Sequence, residues 1–303
     1  RRLRDSRLVV AAFGLLVVGL AVKVALFPVH TWQPDAYEAA PDSVSIFISA
    51  LVSTVSAYAM GRILFTVFTP DFFEAVPMAR ELLVHGAAVS ILAGSVLAVL
   101  QQDIKRMLAY SSVSQFGMVI AAFALLTESA AVGGVVHLLG HAVMKGGLFA
   151  AAGVIAAITG ARRIDGYAGL AGRAPVVAGA FAVLAFGMVG VPPAVGFVGK
   201  WYIAVGAIET GTWAVAVVIL ASTVLTLAYF ARIVERMYFV QADPGEEPVA
   251  STAPTATDGG KYPVSLGMIA VVVAAAVAAV VLGLLGTSIE TLLDPVLTEV
   301  FSS

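Results

Sequence analysis

Five lysines occur in the chain, and three of them, Lys23, Lys145 and Lys200, fall inside long apolar stretches. A lysine at the centre of a membrane helix costs roughly 2.5 to 3.5 kcal/mol on insertion scales, so three cost roughly 7 to 10 kcal/mol and invite a functional reading. Lys23 and Lys200 lie near helix breaks, from which either could snorkel to the interface; Lys145 lies near mid-span, where that escape is poorer. Desolvation disfavours the charged form of an amine, which makes such a group able to gain and lose a proton. His137, His141 and Lys145 follow at i, i+4 and i+8 and so line one face of a helix. This stripe reads as a proton relay, against the plainer alternative of a hydrogen-bonded structural histidine pair. A metal site would need a further ligand, and no acidic residue lies within 130–158, nor any cysteine in the chain. Ser111, Ser114 and Gln115 could extend the relay through hydroxyls and water, or could hydrogen-bond neighbouring helices for about 0.6 kcal/mol each. No Ser-His-Asp order, phosphate loop or GxGxxG is present, so neither soluble-type catalysis nor a cofactor is expected.

The elements that must position these groups are membrane spans. Of 303 residues, 60% are hydrophobic and 12% charged, with mean hydropathy +0.99, about half the charged fraction of a soluble domain. The net charge of −2 leaves no nucleic-acid footprint. The fold expected is all-α, a multi-pass protein of the cell membrane, with the lipid bilayer as its solvent. Eight spans are predicted, at 8–29, 43–68, 82–100, 107–126, 130–158, 176–208, 213–238 and 264–285. Two are discontinuous, the first broken at Phe27-Pro28 and the sixth at Pro192-Pro193 through Gly196, because proline removes a helical donor and clashes with the preceding turn. Residues 241–261 read as a solvated linker. From 287 to 303, Ile289, Leu292, Leu293, Val296, Leu297 and Val300 form an apolar stripe suited to a surface helix. The chain starts with Arg and its first apolar run has no cleavage site, so it is expected to begin inside a longer protein.

With eight alternating spans, Lys105, Arg106, Arg162, Arg163, Arg173, Arg232, Arg236 and Lys261 share one side, which the positive-inside rule places in the cytoplasm. The arginines at 1, 2, 4 and 7 count the other way. There is also an internal echo. Ser53-Thr54-Val55, Ala57-Tyr58 and Arg62-Ile63 in the second span match Ser222-Thr223-Val224, Ala228-Tyr229 and Arg232-Ile233 in the seventh. Paired spans lie five apart and so run oppositely, as in an inverted repeat. The predicted divisions are 1–69, the end of a first repeat; 79–240, a second repeat of five spans; 241–263, a soluble loop; and 264–303, a last span with its tail.

These residues resemble a known family. Lys23, Phe27-Pro28, His30, Trp32 and Pro34-Asp35-Ala36 are similar to the lysine-bearing broken helix and Pro-Asp-Ala loop of antiporter-like subunits, found in Mrp-type Na+/H+ antiporters and in the proton-pumping subunits of respiratory complex I. Asp103 to Gln115, His137 to Phe149, and Gly190 to Lys200 resemble three further signatures in the same order. The resemblance implies a fourteen-span subunit with two inverted five-helix repeats, of which these would be the last eight spans. It implies that Lys23 is the central lysine of a first proton half-channel, Lys145 that of a second, and Lys200 the terminal lysine facing the far side, with His137 and His141 between. The lysine at 200 is more like the D-type large subunit of Mrp antiporters, or its complex I counterpart, than some paralogues. Two departures stand out. The helix bearing the glutamate that partners the first lysine is absent, and Thr54 stands where the family carries a lysine or histidine, with Ser49 and Ser53 nearby. The leading expectation is a proton-translocating subunit of an Mrp-type antiporter, a secondary transporter rather than an enzyme, working with other membrane subunits on H+ and Na+. The alternatives are a redox-driven pump subunit of a complex I relative and a non-transporting scaffold.

Overall fold

The computed structural model describes residues 7–241, 264–286, 288–293 and 295. The linker at 242–263, Arg1, Arg2, Arg4, Thr287 and the tail from 296 lie outside them. Among the described residues, seven helices are long and apolar enough to cross a membrane: α1 (Arg7–Val24), α3 (Asp42–Ala75), α4 (Pro77–Val99), α5 (Ile104–Leu125), α6 (Glu128–Thr159), α9 (Trp213–Phe239) and α10 (Leu266–Leu284). The short α2 (Trp32–Ala39) follows the first break. The predicted sixth span is the pair α7 (Pro175–Val189) and α8 (Val195–Glu209), each half too short to cross alone. The chain is thus a multi-pass integral membrane protein.

Local chemistry explains the boundaries. Asp103 caps α5 by accepting from the amides of Lys105 and Arg106 at 2.8 and 3.0 Å, and Thr127 caps α6 at the amide of Ala130. Gly190 ends α7 in a left-handed conformation with φ 94°. The first span departs from expectation. Its helix ends at Val24, where Ala25 takes φ 61°, earlier than the proline at 28. The break exposes the carbonyl of Val22, which the Trp32 indole satisfies at 2.8 Å, while Ser90 accepts from the Phe27 amide. The second span is longer than predicted, and two turns of π-helix, at 48–52 and 64–68, interrupt its α-helical pattern.

Helix α5 is the hub, almost wholly buried, whereas α1 is almost wholly exposed. The loops after α1, α4, α6 and α9 meet on one face. Arg106 reaches Asp35 and Glu38 at 2.8 and 2.7 Å, and Asp42 holds Lys105 at 3.1 Å and Arg162 at 2.9 Å. Arg232 donates to the carbonyls of Val99 and Gln101, and Arg236 pairs with Asp165 at 3.3 Å. On this ionic face, burial pushes the Asp103 carboxyl and the Tyr167 hydroxyl above their usual ranges. The opposite face joins the start of α6 to the end of α8 through Ser129 and Glu209 at 2.9 Å, and the start of α4 to the end of α5 through Arg80 and the Ala124 carbonyl. In the tail, Ile289 and Leu293 pack against the core and Leu292 is exposed.

Candidate functional site

Lys145 sits near the middle of α6 and is fully buried. Its Nζ donates to the Leu108 carbonyl at 2.6 Å and to the Ser111 hydroxyl at 2.7 Å, both on α5. Neither acceptor carries charge, and among the described residues no carboxylate pairs with Lys145. One turn along α6 is His141, whose two ring nitrogens are buried and without hydrogen-bond partners; its ring lies 4.5 Å from that of Phe116. A turn further is His137, whose Nε2 meets the Gln115 Oε1 at 2.8 Å while Nδ1 is left open. From 137 to 145 the rise along the helix is about 12 Å.

The neighbouring helix supplies the next basic group. Lys200, buried on α8, donates to the carbonyls of Met188 and Val189 at 3.0 and 2.8 Å. These are last-turn carbonyls of α7, orphaned where Gly190 and the two prolines stop the helix, and the helix dipole there favours a cation. The break is narrow enough that Gly196 abuts the Gly187 carbonyl, where a Cβ would not fit. Gly199 likewise lets α8 lie against the His137 backbone, with an added Cβ only 2.7 Å from the His137 Cβ. Lys145, His141, His137 and Lys200 therefore form one continuous row inside the protein. Gln115 Nε2, His137 Nδ1 and both nitrogens of His141 keep open hydrogen-bonding capacity along it, the polar lining that bridging water needs.

The fifth expected residue is elsewhere. Lys23 lies in the last turn of α1 on an exposed face, so the structure does not join it to the row. It is exposed because α1 itself is peripheral among the described helices. Thr54 is half-buried with its hydroxyl unpartnered, while Ser53 bonds Gln33 and Tyr37 and Ser49 bonds the Ile46 carbonyl. Of the α5 hydroxyls, Ser111 belongs to the Lys145 site. Ser114 instead joins Ser95 and Ser222 in a triangle linking α5, α4 and α9 at 2.7 to 3.1 Å. Among the described residues no group of three His, Asp or Glu is placed to hold a metal ion.

Sequence reasoning missed the placement of Tyr229 beside Ser111 and the burial of Lys105, held by Asp42 and the Ala40 carbonyl. The recurrence of Ala-Tyr before Arg-Ile in the sequence echo was the available signal for the first; for the second there was none, since its partners lie more than 60 residues away.

Residues 2–226 match the family described as NADH:quinone oxidoreductase/Mrp antiporter, TM. Among curated relatives, NADH-quinone oxidoreductase subunit N of Desulforudis audaxviator is 42% identical over 236 residues, 78% of this chain and 47% of the relative. F(420)H(2) dehydrogenase subunit N of Methanosarcina mazei is 35% identical over 259 residues, 82% of this chain and 51% of the relative. In the solved Mrp complex of a Dietzia species, one chain superposes with TM-score 0.81 at 28% identity, covering 97% of this chain and 61% of that one. The chain spans about half the length of the curated relatives it matches.

Proposed function

Because the chain belongs to the family of membrane subunits shared by NADH:quinone oxidoreductases and Mrp antiporters, we propose that it is part of a proton-translocating subunit of a complex I-like oxidoreductase. The observation that carries this reading is the buried row Lys145, His141, His137 and Lys200, with no carboxylate among the described residues neutralising Lys145. A buried amine held by neutral acceptors can exist with or without its proton, and the basic groups follow at one-turn spacing on α6 and, where Gly199 abuts His137, on the helix packed against it. Protons load Lys145 from the ionic face, which the positive-inside rule assigns to the cytoplasm. They pass His141 and His137 through intervening water and leave by Lys200 toward the opposite face. Like charges repel strongly in low dielectric, so a proton on one group drives the next off its neighbour. Other membrane subunits and a redox partner complete the machine.

The motifs alone put an Mrp-type antiporter first, with this chain as its D-type large subunit. Identities of 42% and 35% to subunits N of oxidoreductases support the redox-driven pump over it. The antiporter stands as the second reading, favoured by the close superposition on the Mrp complex. On either reading Lys23 serves a separate path that this part of the chain does not complete.

The test uses everted membrane vesicles carrying the assembled complex. Addition of NADH should build a pH gradient in the native complex and not in Lys145→Ala, with assembly unchanged. A gradient that NADH does not build, but that added Na+ collapses when it is imposed by another pump, would replace the oxidoreductase by the antiporter. Full proton movement in Lys145→Ala would remove the row from the mechanism.

A further inference from the structure

The row described above explains how a proton leaves Lys145, yet Ser111, which holds the Lys145 amine, has a second neighbour on a different helix. The Tyr229 hydroxyl of α9 faces Ser111 and Thr226. It is buried, with the residue 1% exposed, and meets no group at hydrogen-bond geometry. Thr226 is turned away, its hydroxyl donating to the Ser222 carbonyl at 2.7 Å. One turn further along α9, about 4.5 Å in rise, Arg232 reaches the ionic face. Its NH1 and NH2 nitrogens bind the carbonyls of Val99 and Gln101, while its Nε is buried and unpartnered. Two buried polar atoms with open valence thus lie within one turn of α9, the outer on the residue that reaches the ionic face and the inner beside Ser111. An unsatisfied polar atom inside a membrane protein is costly, and α9 carries two within one turn.

Building on the proposed proton row, we infer that Tyr229 is the loading residue of Lys145, carrying protons from the ionic face at Arg232 to Ser111. The step balances as a hydroxyl relay. Ser111 gives its proton to the neutral Lys145 amine and takes one from Tyr229, whose hydroxyl is refilled from water at the Arg232 end. No bond other than O–H and N–H changes, and no oxidant or co-reactant is required. Helix α9 is then a working part of the path, and the echo of Ala57-Tyr58 and Arg62 by Ala228-Tyr229 and Arg232 gains a functional member in the second copy.

The inference is tested in the full-length subunit within its assembled complex, in everted vesicles energised with NADH, comparing Tyr229→Phe, Tyr229→Leu and Lys145→Ala. Tyr229→Phe keeps the ring and removes an oxygen that bonds nothing, so a packing role predicts native proton movement in Phe and a defect only in Leu. The loading role predicts that Phe lowers proton movement about tenfold, a modest share of what a positioned proton-transfer group contributes because water can partly replace it, with electron transfer under uncoupler and assembly level unchanged. Native proton movement in Tyr229→Phe beside a dead Lys145→Ala would overturn the loading role alone. Native movement in Lys145→Ala would overturn the proton row and the loading role with it.

Discussion

Lys145 is held by a carbonyl and a hydroxyl, and in the proposed pathway that choice of acceptors is what leaves its proton exchangeable. A carboxylate in the same place would lock the charged form. The same logic applies to His137, for which Gln115 is the orienting partner. Gln115→Leu should leave Nε2 of His137 buried and unbonded, at a cost of about 1 to 3 kcal/mol. Slower proton movement and a lowered thermal midpoint of the detergent-solubilised complex are expected; an unchanged rate would show that the histidine needs no orientation. At this scale the sequence was informative wherever chemistry was written along one helix. The spacing of His137, His141 and Lys145 announced the row before any packing was known. It was silent where partners come from distant helices, as with Lys105 and Asp42, or Tyr229 and Ser111. Lys23 looked equivalent to Lys145 by residue type, but burial separates them, and burial depends on neighbours.

The discontinuous helix does two jobs for Lys200. It supplies orphan carbonyls to bind the ammonium, and it brings α8 against α6 at Gly199. Gly199→Val should force the two helices apart, since its Cβ would stand 2.7 to 2.9 Å from the Cβ, Cα and N of His137. Overpacking of this kind typically costs about 1 to 3 kcal/mol, and loss of proton movement should exceed loss of assembly. Gly172→Ala, with nothing within 4 Å of its Cβ position, is the control expected to behave as native. The spans themselves were legible from apolar length, and the break at Pro192-Pro193 from proline chemistry. Helix α2 was not, because Gln33, Pro34, Asp35 and Glu38 give it no apolar period. The π-turns of α3 were equally hidden, as nothing in an apolar run distinguishes a five-residue from a four-residue hydrogen-bond step.

At the scale of the molecule, two faces of unlike character bracket the row. The ionic face ties the loops after α1, α4, α6 and α9 together, and Asp42 is its keystone because it neutralises Lys105, which is only 3% exposed. Asp42→Asn should strand that charge. Since Asp42 itself is about a third exposed, the expected loss is about 2 kcal/mol, below the range for a wholly buried pair. Limited proteolysis within residues 32–42 should report it as faster cleavage, and unchanged protection would mean the Ala40 carbonyl alone suffices. The common side of these loops was legible from charge counting over alternating spans, and the ion pairs among Asp35, Asp42, Arg106 and Arg162 agree with it. The choice between redox pump and antiporter was not legible, because the motifs read in the chain resemble both.

The central claim is that protons cross through Lys145. It is tested most directly by the ratio of protons moved to electrons transferred in the assembled complex, native against Lys145→Ala. A ratio, unlike a rate, is insensitive to how fast the redox part turns over. The ratio should fall in the variant while NADH oxidation under uncoupler persists; an unchanged ratio would take Lys145 out of the proton path.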